Sequence, residues 1–519
     1  MARLYEYQGK QLLADVGLAV PEGQVASSPE QAFDIARRLA RPVVIKSQVW
    51  TTGRFKAGGI KFAETPQQAK ETAKALLGSR IKGFLVEKVL VEQQLELAKE
   101  FYIGMIVDAS HKVRSPVIML STEGGVDVES VSEKNIARRP VNIFDGLSLD
   151  DALDMVRSLD IREAWQQGLA KAMVSLYTVF RRYDARSAEI NPLVVTKDGR
   201  IMAADCRISI DDSSTSRHPE LGIEVPRESD TAPTTMDKIG WRIEAEDYRG
   251  SSFFAQMATE TGSGGYIGYH AIGGGGALLA ADMLVRQGLK LANYAETSGN
   301  PPASKVYRTA KLVLSQPGLE GYCLLGAVMA SQDQWHHALG LVKAFREMLQ
   351  GRPGFPVLVL IAGNKEAEAL NILREGLSDM NLQVELFGRQ YIHKLDFVAH
   401  RMKELVTAYQ ATGHHGAGPI ETPVKKAYTQ RYDFRTGSVL IDEKQCRGCK
   451  SLACVKACSL YGGYLYRVRG GKAVLGIPRD DVPRACTECL ACEYECRMRG
   501  QRSLNIALPM GDDDGNLAG

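Results

Sequence analysis

The sequence predicts a multidomain α/β protein in three parts: an α+β domain, a domain built on a parallel sheet, and a small cysteine-rich domain. Three observations carry this reading. The chain has 519 residues, too many for one core at about 100 to 200 residues per domain. Between about residues 264 and 406, apolar strand patterns and helical patterns alternate regularly. Eight of the ten cysteines fall between Cys446 and Cys496.

Composition narrows the class before any motif does. With 45% hydrophobic and 24% charged residues, the chain is made of ordinary globular domains. A formal net charge of +3 leaves no electrostatic footprint for nucleic acid. No window reaches the roughly 18 apolar residues of a membrane span, and the opening MARLYEYQGKQ has no apolar export core. The expectation is a cytoplasmic chain with no membrane span, in which reduced thiols favour metal binding over disulfides.

The elements follow in order. Residues 1–230 mix helices with short strands, Pro42–Lys46 and Phe84–Glu87 among them, in the irregular order of an α+β domain. Residues 245–406 carry strand patterns at 266–272, 291–295, 321–329 and 355–362 and a weaker one at 383–387. Helical patterns follow at Ala277–Gln287, Ser304–Ser315, Trp335–Leu349 and Lys365–Leu377. Such alternation predicts a parallel sheet with helices on both faces and ligands at the carboxyl ends of its strands. Residues 407–436, rich in Gly, His, Pro and Thr, read as a linker, and His414–His415 within it lack the second spaced pair that a metal site needs. Residues 437–510 hold too little apolar material for a core of their own, and 511–519 read as a flexible tail.

Cysteine spacing suggests what holds the third part. Cys446, Cys449, Cys454 and Cys458 form C-x2-C-x4-C-x3-C, and Cys486, Cys489, Cys492 and Cys496 form C-x2-C-x2-C-x3-C. Two four-membered runs suit iron–sulfur clusters; a pair of tetrahedral zinc sites is the alternative for the same thiolates. The segment resembles a bacterial two-cluster ferredoxin. That resemblance implies two 4Fe-4S clusters, one on Cys446, Cys449, Cys454 and Cys496, the other on Cys486, Cys489, Cys492 and Cys458. Two features depart from the pattern: an extra residue precedes Cys454, and Ser459 and Arg497 stand where proline is usual. Cys206 and Cys323 lie outside the set and read as packed thiols.

A phosphate-handling site needs cations, a glycine-bearing loop and hard oxygen ligands for magnesium. The first domain offers Lys46 at a strand end, the loop Gly53-Arg54-Phe55-Lys56-Ala57-Gly58-Gly59, and the oxygens of Glu189, Asn191 and Asp205. Tyr5-Glu6-Tyr7-Gln8-Gly9-Lys10, Ser121-Thr122-Glu123-Gly124-Gly125-Val126, Glu189-Ile190-Asn191-Pro192-Leu193 and Ser216-Arg217-His218-Pro219-Glu220-Leu221 resemble the β subunit of succinyl-CoA synthetase over about residues 1–406. The resemblance implies an ATP-grasp domain followed by a flavodoxin-like ligase domain. It assigns Lys46, Gly53 and Arg54 to ATP phosphates, Glu87 and Glu100 to the adenine and ribose side, and Phe55 and Leu90 to the same nucleotide site. It also gives Mg2+ to Asn191 and Asp205, and assigns Glu189 to steadying a phosphohistidine. Phe55 stands where the family has glycine.

In the second domain, Gly273-Gly274-Gly275-Gly276 ends a strand and opens a helix, where free N–H groups favour an anion. Leu291-Ala292-Asn293-Tyr294-Ala295-Glu296-Thr297-Ser298-Gly299-Asn300-Pro301 is similar to ATP-citrate lyase and citryl-CoA synthetase. Where the lyases grip a tricarboxylate with Asn, Thr and Arg, this chain has Ser331, Asp333 and Ile361-Ala362; Ile272 replaces an Asn of the synthetases. An acid with fewer carboxylates and a more apolar body is expected. No histidine sits in a phosphohistidine motif, and His270, His336 and His337 read as structural. The resemblance therefore implies a partner α subunit carrying the phosphohistidine and the CoA-binding Rossmann domain, and the tail implies a redox partner. The expected function is an ADP-forming acyl-CoA ligase subunit with an electron-transfer module. The alternatives are a nucleotide-gated electron-transfer subunit without ligase activity, and clusters that are purely structural.

Overall fold

The computed structural model describes residues 2–125, 131–223, 232–259, 261, 264–413 and 428–510, with 328–331 by backbone only. They fall into two compact units, one running through Pro233 and one from Thr234. No helix among the described residues is long and apolar enough to cross a membrane.

The first unit is built on two main antiparallel sheets, beside a two-stranded hairpin of Arg80–Ile81 and Phe84–Leu85. The smaller, in the order Gly23–Ala26, Val89–Gln93, Val43–Ser47, Ile60–Ala63, is backed by helices Pro29–Leu39 and Pro66–Leu76, each opened by a Ser or Thr cap with proline in the first turn. All five residues of Val43–Ser47 are buried, so Lys46 is carried into the interior by a central strand. The larger sheet runs Ala2–Arg3, Cys206–Ile210, Ala185–Thr196, Leu97–Asp108, Ser115–Ser121, Ile136–Pro140. Its core includes Phe101, Ile103, Ile190 and Leu193, packed with helix Glu163–Arg182 through Leu169, Met173 and Leu176. The expected strand Phe84–Glu87 is only the two-residue Phe84–Leu85, because alternate side chains there face solvent and its one partner is equally short.

The second unit centres on a sheet in the order Ser251–Gln256, Asn293–Ser298, Tyr266–Ile272, Tyr322–Asp333, Phe355–Asn364, Leu382–Phe387. Numbering its parallel strands along the chain gives 2-1-3-4-5, the flavodoxin-like doubly wound order, whose crevice opens where the first and third strands diverge. Two details differ from the expected layout. Ser251–Gln256 is an antiparallel edge strand, absent from the sequence pattern because half its residues are polar. The first helix starts at Gly274, not Ala277, so the glycines form its first turn instead of a loop before it. Helix Thr235–Glu246, left unassigned by the sequence, joins this unit through Ile239 and Ile243.

The expected linker is shorter than 407–436: helix Leu395–Ala411 occupies its start and strand Gln430–Phe434 its end. His414 and His415, and the expected tail 511–519, lie outside the described residues. Gln430–Phe434, Gly437–Ile441 and Leu504–Ala507 make a three-stranded sheet, with helices Ala453–Leu460 and Ala491–Arg499 beside it. The segment, expected to hold too little apolar material for a core of its own, shares one. Phe434, Val439, Ile441, Leu465, Leu504 and Ile506 belong to the same apolar cluster as Val342, Phe345 and Leu373 of the sheet's helices, so the segment borrows the larger domain's core.

Candidate functional site

The polar centre of the first unit is a lattice of three cations and three carboxylates. Lys46 Nζ lies 2.9 Å from Glu6 Oε1 and 2.6 Å from Glu92 Oε1, and donates to the Ala204 carbonyl at 2.6 Å. Lys10 Nζ reaches the same two acids, Glu6 Oε1 at 2.8 Å and Glu92 Oε2 at 2.6 Å. Arg54 Nη2 donates to both oxygens of Asp205 at 2.9 and 2.8 Å and meets Glu6 Oε2 at 2.7 Å, while Nη1 donates to the Ser47 carbonyl at 3.0 Å. Equal numbers of opposite charges make such burial tolerable. Burial alone would raise the Glu6 carboxyl, but Lys10, Lys46 and Arg54 overcome it and hold that group well below the usual carboxylate range. Lys46 and Arg54 are raised above their ordinary values, because neighbouring carboxylates outweigh desolvation. Asp205 is raised by burial in spite of Arg54, yet 26% of its side chain remains exposed, leaving an approach for a ligand.

Asn191 adjoins this lattice. Its N–H donates to the Asp205 carbonyl at 3.1 Å and its side-chain oxygen accepts from Gly125 N at 2.7 Å. Glu189, two residues earlier on the same strand, accepts from Tyr102 Oη at 3.3 Å and is raised by burial against Arg207 across the sheet. The structure thus brings Arg54 and Asp205 into direct contact and joins Lys46 to Arg54 through their shared acid Glu6, with Asn191 hydrogen-bonded to Asp205. The remaining expected positions differ in character. Gly53 (φ +66°) begins a compact turn in which Phe55 is 64% exposed. Leu90 is buried opposite Lys46 in the sheet, and Glu87 is exposed. Glu100 stands half-buried beside Gly125, whose amide binds Asn191, so it is placed near the expected magnesium ligands. Glu6, Lys10 and Glu92 were missed. The signal was available: an i, i+4 Glu–Lys pair in the quoted motif, and a charge inside the wholly buried run Val89–Gln93.

In the second unit, Gly274, Gly275 and Gly276 are exposed and a Cβ on any of them would meet nothing within 4 Å, so their amides are open to solvent. Ile272, Ile361 and Ala362 are fully buried in the sheet and present no side chain to a ligand. Asp333 accepts from Trp335 Nε1 at 3.3 Å; the Ser331 side chain is outside the described atoms. An arginine does stand near the end of Phe355–Asn364: Arg389 donates to the Gly363 carbonyl at 2.9 Å and to Glu366 at 2.9 Å. It comes from beyond the fifth strand, not from the end of the fourth, where the resemblance places the lyases' arginine. Gln332 Nε2, Gln334 Oε1 and His337 Nδ1 are buried at this edge without a hydrogen-bond partner among the described residues.

The cysteines of the tail are all free and form two groups. Cys454 interacts electrostatically with Cys446, Cys449 and Cys496, while Cys492 interacts with Cys489, Cys458 and Cys486 and, across the groups, with Cys454. A small cavity of about 20 Å3 is lined by Cys458, Cys486, Cys489 and Cys492 with Phe434 and Ile506. Leu465 N donates to Cys458 Sγ at 3.1 Å, and amides of Ser451, Leu452 and Gln501 act on Cys449, lowering it against burial. Left-handed Leu452, Glu488 and Leu490 (φ +46°, +59°, +60°) shape these loops, a way of turning successive amides toward an anion. Among the described residues no three His, Cys, Asp or Glu side chains are gathered as for one metal ion; a cubane, by contrast, spreads its four thiolates over four irons.

The cysteine loops are fixed to the larger domain through two buried acids. Glu488 receives Arg249 Nη2 and Ser304 Oγ, both at 2.7 Å. Glu493 receives Lys343 Nζ at 3.0 Å. Trp335 packs on Tyr461 with ring centroids 4.8 Å apart.

Residues 3–195 match the ATP-grasp domain family, and residues 255–402 match the ATP citrate lyase citrate-binding family. The chain is similar to the succinate–CoA ligase [GDP-forming] subunit beta of Thermus thermophilus, 38% identical over 379 residues, covering 71% of this chain and 93% of that one. It is similar also to the ADP-forming subunit beta of Rubrobacter xylanophilus, at 34% over 382 residues, covering 72% and 92%. In fold it resembles the ATP citrate lyase of Methanothrix soehngenii solved with citrate and coenzyme A, with a TM-score of 0.62 and 18% identity over 77% of this chain and 99% of that one. Neither matched family range reaches the cysteine-rich segment.

Proposed function

Because the chain belongs to the succinate–CoA ligase β-subunit family, we propose that it is the nucleotide-handling subunit of an ADP-forming acyl-CoA ligase, converting a carboxylic acid, CoA and ATP to acyl-CoA, ADP and phosphate. The observation that carries the reading is the neutral lattice around Arg54 and Asp205. Every charge in it is already paired, so a bare anion would be disfavoured there. Magnesium nucleotide brings both signs: Arg54 and Lys46 turn to phosphate oxygens, while Asp205 and Asn191 offer hard oxygens to the ion. Each group exchanges one partner for another, and no buried charge is left alone. Magnesium, when bound, spreads the negative charge of the transferred phosphoryl group. Glu189, kept by burial closer to its protonated form, holds the phosphohistidine supplied by a partner α subunit, which also binds most of the CoA. The open amides of Gly274, Gly275 and Gly276 receive the acyl phosphate or carboxylate. Ser331, Asp333 and Ile361-Ala362 at the places where the lyase resemblance puts Asn, Thr and Arg favour an acid less charged than citrate.

For residues 428–510 the proposal is a ferredoxin-like module with two 4Fe-4S clusters in a cytoplasmic setting. The two thiol groups, the cavity between Cys458, Cys486, Cys489 and Cys492, and the amides turned on the sulfurs support that fit. A second reading, in which nucleotide gates electron transfer without ligation, draws support from the seating of the Cys486–Cys492 loop on the larger domain.

The test combines the anaerobically purified chain with an α subunit and follows ADP release against CoA and a series of carboxylic acids. Turnover dependent on both, reduced at least about a hundredfold in Asp205→Asn, supports the first reading. Nucleotide binding without turnover beside an active α subunit supports the second, and a preference for citrate overturns the substrate assignment.

A further inference from the structure

The two thiol groups differ in their surroundings. The group with Cys458, Cys486, Cys489 and Cys492 is turned inward, and its loop acids Glu488 and Glu493 are consumed by Arg249, Ser304 and Lys343. The group with Cys446, Cys449, Cys454 and Cys496 is the more outward, with Cys446 and Cys449 partly exposed, against Cys486 alone in the other group. The residues threaded between these outer thiols are cationic. From Lys444 to Leu460 the chain carries Lys444, Arg447, Lys450 and Lys456 and no carboxylate; from Arg497 to Arg502 it carries Arg497, Arg499 and Arg502 and again none. All seven are exposed. Arg499 is engaged by Glu495 and Glu375, whereas Arg447, Lys450, Lys456 and Arg497 make no ion pair among the described residues. Each of these four lies within two residues of an outer thiol.

We propose that this cationic rim around Cys446, Cys449, Cys454 and Cys496 is the docking surface for an acidic electron-transfer protein, and that electrons cross there. The inference rests on the cluster reading above and adds the partner's chemistry and its point of contact. A chain of net charge +3 has no general attraction for anions, so a local concentration of unpaired cations at the exposed pole is a specific feature. Cations there steer an acidic protein so that its own centre approaches the outer cluster. A cluster held by Cys446, Cys449, Cys454 and Cys496 would take one electron from the partner's reduced centre, with no bond made and no proton moved. Unpaired surface cations act over about 10 Å at 0.1 M salt, the reach needed to orient a small protein before contact.

The test uses the full chain purified without oxygen. Iron and acid-labile sulfide are counted first; their absence removes the cluster reading itself and is thereby distinguished from failure of the docking proposal. With clusters present, a reduced acidic plant-type ferredoxin is the probe, and stopped-flow bleaching gives the second-order rate constant across ionic strengths. The proposal expects that constant to fall about tenfold or more between low and high salt. It expects a similar loss at low salt in Lys450→Glu/Arg497→Glu, a smaller loss in Lys450→Gln, and recovery in Lys450→Arg. The low-temperature electron paramagnetic resonance signal of each variant reports whether its clusters are intact. Rates that are independent of salt and equal in all cluster-replete variants overturn the proposal. So does binding of the rim to phosphatidylglycerol vesicles with no change in the rate from the acidic donor.

Discussion

Replacing Lys343 with methionine isolates the bond that holds the cysteine-rich segment in place. Lys343, on helix Trp335–Met348, is 8% exposed, and its ammonium lies 2.8 Å from Glu347 and 2.9 Å from the nearer oxygen of Glu493. Methionine keeps the apolar stem and removes the cation shared by the two carboxylates. Glu347 retains 37% of its side-chain exposure and can turn to water. Glu493 is 7% exposed and already raised by burial. It must either remain charged and unpaired, at about 3–5 kcal/mol, or take up a proton at pH 7. The second route costs about 1.4 kcal/mol for each unit between pH 7 and an ordinary carboxyl near 4.3, roughly 4 kcal/mol in all. The cheaper route sets the loss, so both bound it near 3–4 kcal/mol. Removing the charge as well, in Lys343→Met/Glu493→Gln, should restore most of it and leave a deficit of about 1 kcal/mol. Hydrogen exchange of peptides from Trp335–Met348 and Ala491–Arg499 across a urea series reads this local stability without confusion from the first unit. A loss below about 1 kcal/mol in the single variant, or a double variant as unstable as the single, would show that the pair does not carry the contact.

Two further predictions concern buried groups. Burial holds His336 down at about 4 and His337 at about 3, and His270 well below its ordinary value. The unfolded chain, near 6.5, therefore takes up protons first as the pH falls. The stability of the second unit should be full above about pH 6.5 and decline toward pH 3–4, by up to about 1.4 kcal/mol per pH unit for each histidine. Urea midpoints between pH 7 and 5 check this; His337→Gln should flatten the slope by about a third, and an unchanged slope refutes it. Cys206 and Cys323 are 6% and 0% exposed with thiols raised by burial. They should react with iodoacetamide at least about a hundredfold more slowly than Cys446 or Cys449 of the cluster-free chain, as read by mass spectrometry; comparable rates would place them at the surface.

The regular parts of the fold were legible because periodicity reports burial directly. Tyr266–Ile272 and Phe355–Asn364 are apolar runs between helical patterns, and no other assignment accommodates them. The antiparallel strand Ser251–Gln256 was invisible because its identity comes from pairing with Asn293–Ser298, not from its own residues. The charged lattice of the first unit was half legible. Lys46, Arg54 and Asp205 announced themselves as cations and a hard oxygen near glycines. Glu6, Lys10 and Glu92 became part of the site only because a helix and a second strand deliver them to the same place. The core of the tail could not be read from the tail at all, since it is continuous with Val342, Phe345 and Leu373 on helices well earlier in the chain.

That shared core has a mechanical consequence. A redox carrier on a long tether can swing between donor and acceptor, and the glycine-rich stretch before residue 428 invites that picture. Phe434, Val439 and Leu465 are instead embedded beside Val342 and Leu373, with Glu488 and Glu493 locked to fixed bases. If the proposed clusters are present, they are held stationary, so traffic in electrons would have to be arranged by visitors arriving from outside.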